Sequence, residues 1–505
     1  MEPDYDLCVI GGGINGVGIA REAAGRGLSV LLVEAQDLAQ GTSSASTKLI
    51  HGGLRYLEQG EFRLVRESLK EREVLLNAAP HIVTPLEFVL PHVQGLRPRW
   101  MIGLGLWLYD HLAGRKKLSK SSAVSLHDSL IGEPLQDIIR DGFKYSDCWT
   151  DDARLVVLNA MDAKARGAEI LTRTACMQMG MLHNTNFWYV QLKDLKSGDE
   201  FQISSRMVVN AAGPWVRGLL DISNLASENT PKVKLVKGSH IIVPRLYDGD
   251  HAFILQQPDK RVVFAIPYEQ KFTLIGTTDE AFDGDVMKPA INDGEIKYLC
   301  EAVSRFFKVT VAPENVVWTY SGIRALVDDG ASQSQTITRD YKLDLDKSRV
   351  APILSVFGGK LTTYRMLAVH AVDKITASRK NSGWTSKAIL PGGDFGKGGF
   401  PSFIAAQRSK YRFLPDDLLQ RYARSYGTRM NVMLDKIDSL KAMGRDFGSG
   451  LYECEVKYLV AHEFAKTAED ILWRRTKLGL HAEKRTALAL ESAMSDYVEE
   501  RKAAS

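Results

Sequence analysis

The chain has 505 residues, 45% hydrophobic and 25% charged, with 65 basic against 61 acidic side chains and a formal net charge of +4. At roughly 100–200 residues per domain this length holds two to four domains; the apolar content excludes compositional disorder, and the near-balance of charge excludes a dedicated nucleic-acid binder. Five scattered cysteines (Cys8, Cys148, Cys176, Cys300 and Cys454) form no CxxC pair, so neither a structural metal site nor a disulfide framework is expected, and a reducing compartment fits.

Glu2, Asp4 and Asp6 precede a short apolar run, which is not the basic start of a secretory signal. No stretch approaches the ~20 apolar residues that cross a bilayer. The expectation is a cytoplasmic protein, soluble or attached to a membrane surface. In chain order, Tyr5–Ile10 reads as a strand, Gly11-Gly12-Gly13-Ile14-Asn15-Gly16 as a turn, Val17–Gly25 as a helix, and Leu28–Val33 as a second strand ending at Glu34. Together these make a βαβ unit. Gly41–Lys48 is a loop of hydroxyls with one cation. Trp100–Tyr109 is uncharged and too short to span, with Trp100, Leu104, Trp107 and Leu108 on one helical face. Arg97, Arg99, Arg115, Lys116, Lys117 and Lys120 surround it against Asp110, the pattern of a helix lying on anionic lipid.

Asp151–Gly167 reads as a helix and Met207–Val209 as a strand running into Asn210-Ala211-Ala212-Gly213-Pro214-Trp215. The pattern then turns to β over Val233–Val236, His240–Val243, Arg261–Ile266 and Phe272–Ile275, and Val350–Val356 is a late strand ending in Phe357-Gly358-Gly359-Lys360. A glycine-rich break begins at Leu390-Pro391-Gly392-Gly393. Beyond it the periodicity is helical, as in Asn431–Leu440 and Cys454–Leu472, so a separate helical domain is expected over 400–505.

The first turn has a mechanical logic. Gly11 permits a tight bend, Gly13 lets the main chain approach a pyrophosphate, and Gly16 lets the helix pack closely on the strand. The helix N-terminus offers N–H groups and a positive dipole end. Glu34 is placed to accept from adenosine ribose hydroxyls. These features suit NAD or FAD equally, and the hydroxyl loop after Glu34 adds donors for a pyrophosphate or a flavin.

The glycine turn, Thr42–Tyr56 (TSSASTKLIHGGLRY), Asn210–Trp215 (NAAGPW), Lys237–His240 (KGSH), Gly276–Asp279 (GTTD), Ser321–Arg324 (SGIR) and Phe357–Arg365 (FGGKLTTYR) occur here in one order. With this set, the chain resembles the FAD-dependent glycerol-3-phosphate dehydrogenases of aerobic bacteria over nearly its whole length. The calcium-binding extension of the mitochondrial relatives is missing from the resemblance, so calcium control is not expected. The resemblance implies an α/β and α+β fold: a Rossmann-like FAD-binding domain, a β-rich substrate cap and a C-terminal helical domain. Expected segments are 1–90, 145–220 and 315–388 for FAD, 91–144 and 221–314 for the cap and membrane-facing region, and 400–505 for the helical domain. That last domain is a candidate for dimerisation or for a partner contact, and a homodimer is expected.

The family reaction takes a hydride from C2 of sn-glycerol 3-phosphate to FAD, held without a covalent bond, and relatives pass the electrons to ubiquinone. The phosphate dianion needs cationic forks, for which Arg55 and Arg324 are candidates because guanidinium binds phosphate bidentately and keeps its charge. A base is needed for the C2 hydroxyl, and His51 and His240 both have the right chemistry. His51 is modestly favoured for its place in the His51-Gly52-Gly53-Leu54-Arg55-Tyr56 motif. Lys360 and the helix start after Gly358-Gly359 would face the flavin edge where negative charge accumulates.

By resemblance, Tyr56 and Thr278 line the substrate pocket. The cofactor set by resemblance is Gly11, Gly13, Ile14, Asn15, Gly16, Glu34, Thr42, Ser43, Ser44, Lys48, Leu49, Ala211, Gly213, Trp215, Gly359, Lys360, Leu361 and Thr362. No metal is expected. Competing readings are an oxidase that reduces oxygen to peroxide on the same substrate, a flavin sensor without turnover, and a flavoenzyme for amino or 2-hydroxy acids. A sensor needs no phosphate clamp beside a base, and a single carboxylate needs only one arginine.

Overall fold

The computed structural model describes residues 2–93, 97–113, 117–328, 340–348 and 350–504, so Arg115 and Lys116 of the expected basic cluster lie outside the described residues. The chain opens with β1 (Tyr5–Ile10), α1 (Ile14–Gly25) and β2 (Val30–Glu34). It continues through α2 (Asp152–Ala165), β3 (Glu169–Thr172) and β4 (Glu200–Asn210). The strands β5 (Val233–Pro244), β6 (Phe272–Gly276) and β7 (Trp318–Val327) follow, then β8 (Ile353–Phe357) and α3 (Tyr364–Thr376).

The first sheet has the parallel order β8-β4-β1-β2-β3, with Leu7 opposite both Met207 and Val30, and Val208 opposite Ile353. Strand periodicity divides β1 between two cores. Leu7 and Val9 pack with Val17 of α1, Val156 of α2 and Leu367 of α3. Cys8 and Ile10 pack on the other face with Trp188, Val208 and Phe357. A parallel strand buried on both faces needs an unbroken apolar run, which is why β1 and β2 show no alternation. Each such aliphatic side chain contributes about 1.5–3 kcal/mol on burial. The order places the C-terminal ends of β1, β4 and β8 side by side, and each runs into a glycine turn.

The second sheet carries β5 between β6 and β7, with Gly238 opposite Gly322 and His240 opposite Tyr320. Two short strands are expected from sequence over Val233–Val243, yet β5 runs unbroken through Lys237-Gly238-Ser239. The ladder to β7 carries the main chain across, and Gly238 makes room for a neighbour: a Cβ there would lie 2.5 Å from Arg324 Nη2. The sheets also divide the chain differently from the expected segments. Val83–Pro91, Asp141–Thr150 and β7, assigned wholly or largely to the FAD segments from sequence, pair within the second sheet. Motif spacing does not reveal such long-range pairing.

The C-terminal region has its own core, including Leu419, Tyr422, Tyr426, Met430, Leu459 and Ile471. Its expected helices are shorter than the apolar periodicity implies. Asn431–Leu440 is helical only over Met430–Met433, and Lys436 has φ +59°. Cys454–Leu472 is helical over Glu453–His462, breaks at Phe464 with φ +62°, and resumes as a wide turn over Asp470–Arg475. The break lets Asp470 accept main-chain N–H bonds from Lys466 at 2.9 Å and Thr467 at 3.0 Å. Among the described residues no helix is long and apolar enough to cross a membrane.

Candidate active site

The glycine turn forms as its spacing requires. Gly11 has φ +114°, and a Cβ there would lie 2.5 Å from the Ala211 carbonyl oxygen, so the end of β4 closes directly on the turn. A Cβ on Gly16 would lie 1.9 Å from the Gly11 carbonyl oxygen, which fixes α1 against β1. Asn15 Nδ2 donates to the Gly358 carbonyl at 3.1 Å and so ties this turn to the one after β8, where Gly359 has φ +108°. Asn15 Oδ1 is buried without a partner. Ser43 Oγ accepts the Ile14 N–H at 3.0 Å. The Glu34 carboxylate accepts from the Gly12 N–H at 2.6 Å and the Gln36 N–H at 2.7 Å. Burial raises its pKa against the pull of those two donors.

Neither α1, the Leu361–Thr363 turn nor α3 has a side-chain cap. The starts of α1 and of the Leu361–Thr363 turn face one cavity of about 770 Å³. It is lined by Gly11, Gly13, Ile14, Asn15, Glu34, Thr42, Ser43, Leu49, His51, Arg55, Tyr56, Ala211, Gly213, Trp215, His240, Arg324, Gly359, Lys360, Leu361 and Thr362. Two helix starts without a cap from their own N-cap residue, a buried orphan acceptor and a glycine floor are what an extended dinucleotide with a pyrophosphate and a heteroaromatic ring demands.

Four sequence-selected residues do not line the cavity, and each has a reason. Gly16 acts through packing. Ser44 gives its carbonyl to Lys48 Nζ at 3.0 Å. Lys48, expected to meet the cofactor, is buried and spends its ammonium on Asp152, at 2.9 and 3.0 Å from the two carboxylate oxygens. Thr278 donates to Glu295 at 2.7 Å and accepts the Ser239 N–H at 2.8 Å behind the wall.

The charged end of the cavity is built from both sheets. Arg324 Nη1 donates to Asp279 Oδ1 at 2.9 Å and Nη2 to Thr277 Oγ1 at 3.2 Å, so its fork is oriented by the Gly276–Asp279 turn. Lys360 Nζ lies 3.8 Å from the centre of the Tyr56 ring, a cation–π contact. The His51 main chain meets Thr362 Oγ1 through both its N–H (3.3 Å) and its carbonyl (3.4 Å), and the residue lines the cavity. Beneath it, Tyr109 Oη accepts the Gly52 N–H at 2.8 Å and donates to Asp147 at 2.7 Å, and Arg72 closes on Asp147 at 2.5 Å. Burial lowers the His51 pKa, with Asp147 opposing and Lys360 and Arg72 adding to the fall.

His240 differs. It is 1% exposed, stacked on Tyr320 at 4.7 Å between ring centres, with Nε2 2.9 Å from Thr47 Oγ1 and Nδ1 buried without a partner. Burial pushes its pKa well down, and Arg324 and Lys48 add to that. In the second layer, Asp147, Arg72, Tyr109 and Tyr320 lie outside the motifs and have no signal in the sequence. Thr47 and Asp279 lay inside motifs, Thr42–Tyr56 and Gly276–Asp279.

A family model described as FAD dependent oxidoreductase matches residues 6–351. The chain belongs to the FAD dependent oxidoreductase family. The cofactor of this family is FAD, and the glycine turn, Glu34 and the two helix starts fit it. A second model, the C-terminal domain of alpha-glycerophosphate oxidase, matches residues 384–502. The chain is 51% identical over 479 residues to a glycerol-3-phosphate dehydrogenase of Pseudomonas aeruginosa, covering 94% of this chain and 92% of that one. It is 50% identical over 483 residues to a D-erythritol 1-phosphate dehydrogenase of Brucella abortus, covering 95% and 96%. The glycerol-3-phosphate dehydrogenase of Bacillus halodurans, solved with FAD, superposes with a TM-score of 0.76 at 28% identity, covering 99% of this chain and 92% of that one.

Proposed function

We propose that this FAD-dependent oxidoreductase oxidises sn-glycerol 3-phosphate to dihydroxyacetone phosphate. The observation that carries the reading is the convergence of Arg55, Arg324, Lys360 and His51 on the cavity that the glycine turn also faces. Arg55 and Arg324 hold the phosphate dianion, Arg324 with its fork pre-set by Asp279. His51, kept neutral by burial, takes the C2 hydroxyl proton. Lys360 and the start of the Leu361–Thr363 turn place positive charge where negative charge develops. Bound FAD supplies the two-electron acceptor for the C2 hydride.

The deciding experiment is an anaerobic visible spectrum before and after sn-glycerol 3-phosphate is added. Loss of the oxidised flavin band is expected; a band that persists would end the substrate reading. The Brucella relative gives a second reading, a longer polyol phosphate held by the same fork. D-erythritol 1-phosphate added in parallel decides between them by its rate of bleaching. Reoxidation by a quinone, with little peroxide on admitting oxygen, is expected for a dehydrogenase, and stoichiometric peroxide for an oxidase.

The acceptor reading places the protein on an anionic membrane surface. The Arg99–His111 helix buries Ile102, Leu106 and Tyr109 and presents Trp100, Leu104 and Trp107 outward, 72%, 51% and 56% exposed. Lys117 and Lys120 are exposed beside it. Arg97 and Arg99 are paired with Glu58 and Asp141, so the apolar face contributes more than the expected cation ring. Replacing Trp100, Leu104 and Trp107 with serine should lower partitioning onto anionic vesicles at least tenfold, since each apolar side chain contributes ~1 kcal/mol or more at an interface. Cosedimentation measures it, and unchanged binding would remove this helix from the attachment.

A further inference from the structure

Residues 34–40 form one wall of the cavity, lined by Glu34, Ala35, Gln36 and Gln40. Asp37 lies behind that wall, 1% exposed. Its carboxylate accepts from Arg474 Nε at 2.6 Å and from Arg475 Nη1 and Nη2 at 2.7 and 2.8 Å. The Asp37 N–H donates to Gln40 Oε1 at 3.1 Å, and the same oxygen accepts Arg173 Nη1 at 3.1 Å. Arg173 Nη2 continues to Asp470 at 2.7 Å. The Ala39 N–H donates to the Gly12 carbonyl at 3.1 Å, which joins this loop to the glycine turn. Arg475 Nε also donates to the Glu463 carbonyl at 2.9 Å, and Glu463 is gripped by both terminal nitrogens of Arg154 at 2.8 Å.

No described residue beyond Thr362 lines the cavity. The C-terminal region therefore meets the Glu34–Gln40 wall from behind, through this buried lattice. A solvated surface pair would carry little, but a buried carboxylate facing two guanidinium groups holds its loop in one geometry, because loss of its charge takes from buried Arg475 the carboxylate its terminal nitrogens contact, while Arg474 keeps Asp470 at 2.5 Å and Glu469 at 2.9 Å.

We propose that the C-terminal helical region positions the adenosine end of the cofactor. Asp37, Arg474 and Arg475 hold the Glu34–Gln40 loop in its binding form, so that FAD binding and the docking of Asp470–Arg475 strengthen each other. The inference rests on the reading of Glu34 as the ribose-facing residue. Coupling of this kind is reciprocal, so it has two independent readouts.

In FAD titrations of the stripped full-length chain, Asp37→Asn is expected to raise the FAD dissociation constant at least tenfold, with kcat and KM at saturating FAD within twofold of the wild type. Glu34→Gln runs beside it. Weakened binding in Glu34→Gln with unchanged binding in Asp37→Asn would overturn the coupling and leave the ribose reading standing; unchanged binding in both would overturn both. The second readout needs no variant and survives a failure of Asp37→Asn to fold. In the wild-type chain, FAD should slow hydrogen exchange of the Asp470–Arg475 amides at least tenfold, and equal rates with and without FAD would overturn the proposal.

Discussion

Replacing Arg324 with leucine is expected to lower kcat/KM for sn-glycerol 3-phosphate by about 10³-fold, with FAD content unchanged. A guanidinium that meets a phosphate dianion through two charge-assisted hydrogen bonds contributes about 1.5–3 kcal/mol for each, and about 1.4 kcal/mol corresponds to tenfold. The loss falls on binding and turnover together, because the fork holds the end of the substrate remote from C2 and so sets the distance at which C2 reacts. Arg324 is only partly exposed, with 28% of its side chain accessible, and Asp279 orients it at 2.9 Å. In the leucine variant the Asp279 carboxylate then faces the incoming dianion without that neighbour. Pairing Arg324→Leu with Asp279→Asn should therefore recover about tenfold of the loss. Arg324→Lys keeps the charge without the planar fork and should fall between, at about 10–100-fold below wild type. Steady-state rates at full flavin occupancy measure all three. A loss under tenfold in Arg324→Leu would take Arg324 out of phosphate recognition.

Local physics made the floor of this site legible. Gly11, Gly16 and Gly359 are required by left-handed main chain or by contacts too close for any Cβ, and such needs leave glycines at fixed spacings. Arginines beside glycines marked the phosphate end: Arg55 follows Gly52-Gly53 and Arg324 follows Gly322. Residues whose meaning depends on partners far along the chain were not legible. Lys48 sits in a hydroxyl-rich loop that reads as a phosphate cradle, yet Asp152 claims its ammonium. Thr278 belongs to a motif that borders the pocket, yet its hydroxyl serves Glu295. The pairings of Arg154 with Glu463 and of Arg475 with Asp37 join residues about 300 and 440 positions apart, and no local spacing encodes them. The C-terminal helices were over-read for a related reason. Their apolar spacing is satisfied by short turns packed on a common core, and the break at Phe464 appears only when Asp470 is seen to cap the turn that follows it.

His51→Asn is expected to lower kcat by about 10²–10⁴-fold, the usual worth of a positioned base, while His240→Asn should cost less than tenfold. The distinction rests on what each ring has left to offer. His240 is enclosed by Tyr320 and engaged by Thr47, so a substrate hydroxyl would have to displace a buried contact. His51 has its main chain held by Thr362 and its neighbour Gly52 held by Tyr109, and the residue lines the cavity. Its lowered pKa, caused first by burial and then by Lys360 and Arg72, puts the acid limb of kcat/KM below the ordinary histidine value near 6.5. Removing one of those cations in Lys360→Met should move the limb upward, a shift that a merely structural histidine would not produce. The same sign governs stability. A histidine whose folded pKa is depressed contributes its full stability above the unfolded value and loses it as pH falls below that value towards the folded one. Buried His81, pushed down to about 3, and His240 both act this way, each costing about 1.4 kcal/mol per pH unit in that window. The acid limb must therefore be taken from initial rates after a pH jump, with refolding on return to neutral pH as the control. A limb that vanishes in His240→Asn and persists in His51→Asn would exchange their roles.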